Sequence, residues 1–254
     1  MSIQADTRAE RGGVAETLKT LLFAVVVALG IRTVAYEPFS VPSESMLPTL
    51  EVGDYFLVSK YAYGYSHHSL PFSVPLFDGR LFGRAPARGD IVVFKLPSDG
   101  VTDYVKRLVG LPGDRVQVKE GIVYVNGQPL PRQPVEGAMG QNSWRDRTGA
   151  SQVFQETAAN GAGYLTLDRY RSAQDDTEEF LVRPGHYFLM GDNRDNSRDS
   201  RFADVGQVPA ENLVGRAEVL FFSTNGEARL WEVWKWPTSI RYHRLLTSLR
   251  TDPG

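Results

Sequence analysis

The chain has 254 residues, of which 42% are hydrophobic and 23% are charged, and its formal net charge is −2. This composition suits one or two packed domains and excludes a disordered chain, and the small net charge predicts no nucleic-acid partner. There are no cysteines, and none of the four histidines lies in an H-E-x-x-H pattern, which excludes a thiol nucleophile and a disulfide framework and predicts no metal or other cofactor.

The first predicted element is an apolar segment over residues 18–36, whose unbroken apolar part, 21–31, is bracketed by Lys19 and Arg32. It has three interpretations: a cleaved signal peptide, an uncleaved membrane anchor or a buried core helix. Residues 33–35, Thr-Val-Ala, resemble a small-x-small cleavage site and favour the first interpretation. We favour the anchor, because cleavage there would leave a free terminus immediately before a loop that is a candidate for catalysis.

The anchor interpretation also predicts a topology. Arg8, Arg11 and Lys19 lie in or before the start of the segment, and positive residues stay on the cytoplasmic side of a membrane. Residues 1–17 are therefore expected in the cytoplasm and residues 37–254 on the exported face. The expected location is the inner (plasma) membrane, crossed once.

After this segment the sequence predicts short β-strands. Gly-Asp pairs precede β-branched or aromatic runs at 55–58, 91–94 and 115–118. A fourth run at 122–125 ends at Asn126-Gly127, a strong two-residue turn signal. We therefore expect a mainly β fold, with an antiparallel sheet or barrel-like core.

Within residues 37–254 we expect a core of about 37–60, 89–118 and 181–228. The peripheral stretches, about 61–88 and 119–180, are rich in turns and polar residues and predict a β-rich cap inserted in the core. A C-terminal tail, 229–254, interleaves tryptophans with basic residues. It suits either a membrane interface or aromatic packing against the core, and the two remain open.

Ser45 is a candidate nucleophile. It lies in a loop, 41–50, that follows the apolar segment closely and is stiffened by Pro42 and Pro48. An ordinary serine turn would explain the same residues.

A serine nucleophile needs a base, and none of the histidines lies in a suggestive setting. A lysine is a known alternative, and Lys106 is the best candidate. It lies in a predicted strand, 101–110, where a period of two places it on one face with Tyr104 and Leu108. An amine on an apolar face is desolvated, which lowers its pKa and lets it act as a neutral base. A lysine reaching out from a strand edge is the alternative.

A third polar segment, 191–201, contains several aspartates, arginines and serines and predicts a turn-rich loop. Its aspartates lack the spacing and closing glutamate of a calcium loop.

Together these segments resemble the bacterial type I signal peptidases (leader peptidases), membrane-anchored serine proteases of the Ser-Lys dyad type. The resemblance rests on six stretches in the family's order: 36–39, 41–50, 88–94, 106–114, 191–197 and 199–201. It does not cover the inserts at 61–88 and 131–179.

The resemblance implies a role for each matching residue. Ser45 would be the nucleophile and Lys106 the general base, with the Ser43 hydroxyl and the Ser45 backbone amide forming the oxyanion hole. The supporting residues would be Ser197, Asp199, Arg201, Asp192 and Arg107. The substrate pockets, which would be apolar and shallow, would be lined by Phe39, Val41, Met46, Val93, Tyr104 and Val105.

The implied activity is removal of signal peptides from secreted preproteins after a small-x-small motif, through an acyl-enzyme. The implied partners are preprotein signal peptides and membrane lipid, and a monomer is expected. Two alternatives remain: another Ser-Lys processing protease, and a catalytically silent, membrane-tethered binding module of the same fold. A penicillin-binding-type acyl transferase is disfavoured because the chain lacks Ser-x-x-Lys.

Overall fold

The computed structural model describes residues 8–70, 73, 76–135 and 152–251. Of the predicted cap, 61–88 and 119–180, residues 71–72, 74–75 and 136–151 therefore lie outside the described residues. The chain begins with a long helix, α1 (Arg8–Val34), whose apolar side chains, among them Leu22 and Phe23, are exposed.

Within the described ranges, no helix combines the length and the apolarity needed to cross a membrane. The transmembrane anchor predicted over residues 18–36 is therefore not supported as a span. The physical reason is that the unbroken apolar stretch covers only positions 21–31 and is bracketed by two cations, whereas a span needs roughly 20 apolar residues.

After α1, the described part of the chain is built mainly from strands. They are β1 (Tyr36–Ser40), β2 (Asp54–Ser59), β3 (Ile91–Lys95), β4 (Asp103–Gly110), β5 (Arg115–Lys119), β6 (Ile122–Val125), β7 (Gln128–Pro129), β8 (Arg132–Pro134), β9 (Gln152–Thr157), β10 (Gly163–Asp168), β11 (Phe180–Leu181), β12 (His186–Met190), β13 (Val208–Pro209), β14 (Leu213–Ser223) and β15 (Thr247–Ser248). A short helix, α2 (Trp236–Ser239), and several one-turn 3-10 helices (Lys60–Ala62, His67–Ser69, Ala173–Asp175, Ala210–Asn212, Val233–Lys235 and Tyr242–Arg244) complete the described elements.

The largest sheet has the strand order β1-β2-β14-β3-β4-β12-β13, with β15 paired to β14. All its pairs are antiparallel. The long strand β14 pairs with β2 and β3 through register shifts, and such irregularities bend a strand. The prediction of a mainly β, antiparallel fold is confirmed.

Two smaller sheets adjoin the largest one. The first has the order β11-β5-β6-β7 and includes residues 115–118, which we expected in the core. Asn126 and Gly127 both have positive φ, as a two-residue hairpin turn requires, and they join β6 to β7 as predicted. The second small sheet has the order β10-β9-β8.

The C-terminal tail packs against the largest sheet in part. Trp236 lies 5.0 Å from the ring of Phe222 on β14, whereas Trp231 and Trp234 are exposed. The basic residues Arg241 and Arg244 are turned towards the core and bind acidic residues there. Packing against Phe222 therefore explains the position of Trp236 in the tail, and ion pairs explain the positions of Arg241 and Arg244.

Candidate active site

Ser45 lies in the loop between β1 and β2 and is only 8% exposed. The loop is held at both ends by backbone hydrogen bonds: Val41 N donates to Asp54 O, and Leu50 N donates to Met46 O, each over 2.9 Å. The carbonyl oxygen of Ser45 accepts a hydrogen bond from Asn193 N over 3.1 Å. Residues 41–50, called the nucleophile loop after the role predicted for Ser45, are thus fixed both locally and from a distant part of the chain.

Lys106 meets Ser45 from β4, where it is paired with Val92 of β3 and is 4% exposed. Its Nζ donates to Ser45 Oγ over 2.7 Å and to Val105 O over 2.9 Å. The Nζ also lies 5.2 Å from the centre of the Tyr104 ring, on the face that alternation predicts.

Burial determines the charge of this amine. Desolvation lowers the pKa of Lys106 from 10.5 to about 8, although the negative charges of Asp199 and Asp192 act in the opposite direction. A substantial fraction of Lys106 is therefore neutral near pH 8. A neutral amine next to a hydroxyl can accept its proton.

Ser43 lies beside this pair. It is exposed, and its hydroxyl is 3.4 Å from that of Ser45. Its hydroxyl is therefore within hydrogen-bonding reach of Ser45 Oγ.

The loop 191–201 after β12 closes the site from the opposite side. The carboxylate of Asp199 accepts hydrogen bonds from Gly191 N over 3.0 Å and from the Arg201 guanidinium over 2.9 Å. Burial alone would raise the pKa of Asp199, but the charge and hydrogen bonds of Arg201 outweigh it and keep the pKa below its usual value. The ion pair expected between these two residues is present.

Ser197, expected to hold the Lys106 amine, is buried in the same loop. Within the described residues its Oγ completes no hydrogen bond, to Lys106 or to another group. It does lie near enough to Asp199 to help lower the pKa of that carboxylate. The structure therefore brings Ser197 to the site without joining it to the lysine.

Arg107 and Asp192 form a buried ion pair behind the dyad. Arg107 Nε donates to Asp192 Oδ1 over 2.7 Å and Nη2 donates to Oδ2 over 2.6 Å, a bidentate geometry. Thr49, in the nucleophile loop, donates to the same carboxylate over 2.6 Å. This pair joins β4, the loop after β12 and the nucleophile loop.

An open cavity of about 800 Å³ leads to Ser45. Of the six expected substrate-binding residues, Phe39, Val93, Tyr104 and Val105 line it. Val41 and Met46 instead pack in the core cluster that contains Phe56 and Val93, and so lie behind the cavity wall.

Two residues of the site, Gly191 and Asn193, lie in the motif 191–197, but the sequence assigned them no role. Asn193 holds the main chain of Ser45 and, through its side-chain amide, that of Glu44. Gly191 has no room for a side chain, since a β-carbon there would lie 2.5 Å from the Ser45 carbonyl oxygen. The glycine directly after a strand was the available signal, but its neighbour across the fold could not be read from sequence.

A serine hydroxyl in contact with a buried, partly neutral lysine is the arrangement of a Ser-Lys hydrolase. Comparison with known proteins identifies the family. Residues 14–222 match the family described as signal peptidase, peptidase S26. Signal peptidase I of Rickettsia typhi is 41% identical over 83% of this chain and 81% of its own, and that of Rickettsia canadensis is 37% identical over 97% and 98%.

A crystal structure of a signal peptidase I from Enterococcus faecalis is 26% identical, covers 52% of this chain and 97% of its own, and gives a TM-score of 0.32. On the strength of the sequence matches, the chain belongs to the signal peptidase family S26 and is an enzyme, a serine endopeptidase. The resemblance inferred from the motifs is confirmed.

Proposed function

We propose that this protein cleaves N-terminal signal peptides from secreted preproteins, with Ser45 as nucleophile and Lys106 as general base. The observation that carries the proposal is the 2.7 Å contact between Lys106 Nζ and Ser45 Oγ, made where both residues are buried. Family membership supports the reaction class, and this contact supports the division of roles.

The chemistry runs in two steps. Neutral Lys106 accepts the Ser45 proton as Oγ attacks the scissile carbonyl carbon, and the amine of the leaving segment takes that proton as the acyl-enzyme forms. Lys106, neutral again, then accepts a proton from water as the water oxygen attacks the ester carbon. The Lys106 ammonium returns that proton to Ser45 Oγ when the C–O ester bond breaks, which releases the acid product and restores both residues. The Ser43 hydroxyl is placed to donate to the developing oxyanion, together with the Ser45 backbone amide.

The shape of the cavity supports an extended peptide substrate. Residues of β1 and of the first half of β4 line the cavity. Among the described strands, β1 pairs only with β2. On the edge of β4 that faces β12, only the second half is paired, so each lining segment has an unpaired edge. A peptide strand can bond to such edges. The apolar lining at Phe39, Val93 and Tyr104 suits small apolar residues before the cut, as the small-x-small motif demands.

We also propose that the enzyme works at the inner membrane, with its N-terminus in the cytoplasm and the catalytic domain on the exported face. The support is the row of exposed apolar side chains on α1, which ends just before β1 and the nucleophile loop. Flotation of the full chain with lipid vesicles tests attachment. Phe23→Lys should weaken it, and equal flotation of both proteins would count against α1 as the attachment.

The central test is cleavage of a signal-peptide-bearing preprotein in detergent by wild type, Ser45→Ala and Lys106→Ala. We expect wild type to cut after small-x-small and both folded variants to be inactive. Activity of Lys106→Ala would return the histidines to consideration as the base. Cleavage at another motif would favour a different Ser-Lys processing protease, and an inactive wild type would favour a binding module.

A further inference from the structure

The hairpin β9–β10 belongs to the insert that the family motifs leave uncovered, yet it touches the nucleophile loop. Leu47, two residues after Ser45, forms a buried apolar cluster with Val153 of β9 and Leu167 of β10. The hairpin thus forms part of the packing against which the nucleophile loop rests.

A second contact runs through the main chain. Leu167 N donates to Asp192 O over 2.8 Å, and Arg194 N donates to Leu167 O over 2.9 Å. Between these two positions, Asn193 donates from its backbone to Ser45 O and from its side chain to Glu44 O over 3.0 Å. Strand β10 therefore binds the main chain on both sides of Asn193, and Asn193 in turn binds the main chain of Ser45.

A third contact is electrostatic and fully buried. Glu156 of β9 accepts two hydrogen bonds from Arg194, over 3.0 and 2.6 Å, and a third from the Tyr164 hydroxyl over 2.6 Å. The ring of Tyr164 lies 4.2 Å from the guanidinium carbon of Arg107, the residue after Lys106. Arg107 in turn pairs with Asp192.

These groups form a closed charge system. Two guanidiniums, Arg107 and Arg194, face two carboxylates, Asp192 and Glu156, and each of the four residues is at most 5% exposed. Removing one member leaves an uncompensated buried charge, which forces its neighbours to move. Among those neighbours, Arg107 directly follows Lys106 in β4. Asp192 and Arg194 lie on either side of Asn193, which binds the main chain of Ser45.

We propose that Glu156 and Tyr164 of the insert are positioning residues that set the distance between Ser45 and Lys106. The inference rests on the proposed function, since it concerns the same dyad. It makes the β9–β10 hairpin a working part of the catalytic centre and not a removable cap.

The test compares four full-length variants for thermal unfolding and for kcat and KM on a peptide in which small-x-small is followed by further residues, so that a scissile bond is present. Glu156→Gln keeps the shape but removes the charge, and we expect it to lower kcat by about tenfold or more with little change in KM, because sub-ångström displacement of reacting groups costs rate. Tyr164→Phe removes a single hydrogen bond and should lower kcat by about fivefold. If Glu156→Gln fails to fold, Tyr164→Phe alone tests the positioning role.

Asp168→Asn is the matched control. Asp168 is a carboxylate at the end of the same hairpin, and its ion pair is with Arg132 of β8, which is not one of the four residues of the buried charge system. It should lower the melting temperature while keeping kcat. Ser45→Ala is the fourth variant and tests the proposed function itself.

The outcomes distinguish the proposed function from the positioning role of Glu156 and Tyr164. If Ser45→Ala still cleaves, the proposed function fails. If cleavage depends on Ser45 but both Glu156→Gln and Tyr164→Phe keep the wild-type kcat at temperatures where they are folded, the positioning role alone is wrong. Equal loss of kcat in Asp168→Asn would also overturn it, because the effect would then be general to the hairpin.

Discussion

Gly191 and Ser45 approach each other so closely that a β-carbon on Gly191 would lie 2.5 Å from the Ser45 carbonyl oxygen. The same β-carbon would also collide with the Ser197 hydroxyl. Two loops far apart in sequence therefore pack main chain against main chain at the nucleophile. Only glycine allows this approach.

Replacing Gly191 should consequently displace the nucleophile. We expect Gly191→Ala to lower kcat by on the order of 100-fold, because the added methyl must push Ser45 away from Lys106. Gly83→Ala is the control, since a β-carbon there would meet nothing nearer than the Arg80 side chain at 3.8 Å. A wild-type kcat for Gly191→Ala would show that the close approach has no role in catalysis.

The pH dependence of cleavage should follow the ionisation of Lys106. Its amine is the base only when neutral, and burial lowers its pKa to about 8. We therefore expect kcat/KM to be low in acid, to rise with pH and to reach half its plateau near pH 8. The measurement is a pH-rate profile under subsaturating substrate. A rate independent of pH across this range would argue against Lys106 as the base.

Burial of the Lys106 amine should lower the free energy of unfolding at neutral pH. A lysine with pKa 10.5 when unfolded and about 8 when folded costs about 3 kcal/mol at neutral pH. The sign follows from proton binding: between the two pKa values the unfolded chain holds more protons, so stability rises with pH across that window.

We therefore expect Lys106→Met to be inactive and yet to have a higher melting temperature than wild type at pH 7. The gain should shrink as the pH approaches 10. A destabilised Lys106→Met at pH 7 would mean that the hydrogen bonds to Ser45 and Val105 outweigh the cost of burying the charge.

Ser45 and Lys106 could be selected as candidates because the evidence for each is local. Ser45 and Lys106 each lie in a short segment with recognisable neighbours, and the strand period alone puts Lys106 on the face of Tyr104. The Gly-Asp turns marked strand starts for the same reason, since a turn depends on adjacent residues.

The connections among these segments could not be predicted. Thr49 meets Asp192 across 143 positions and Glu156 meets Arg194 across 38, and no local pattern encodes such pairings. The membrane span is not supported for a different reason, since the apolar stretch before Ser45 is shorter than a span needs.

Ser43 should contribute to the transition state and not to substrate binding. Loss of one oxyanion donor typically lowers kcat by about 100- to 1,000-fold, so Ser43→Ala should do this while KM is kept. Ser98→Ala, another exposed serine outside the cavity lining, controls for the substitution itself. Unchanged turnover in Ser43→Ala would remove the hydroxyl from the oxyanion hole.

The C-terminal tail should stabilise the region that follows the nucleophile loop. Arg244 donates to Asp54 Oδ2 over 2.5 Å and to Thr49 O over 3.0 Å, and it also pairs with Glu51. Both carboxylates are buried, so Arg244→Ala should lower the free energy of unfolding by about 3–5 kcal/mol, measured by urea denaturation. Arg250→Ala is the control, because Arg250 is 56% exposed and its pair with Glu218 should contribute less than about 1 kcal/mol. Equal stability of the two variants would mean that Arg241, which binds the same carboxylates, is sufficient to compensate them.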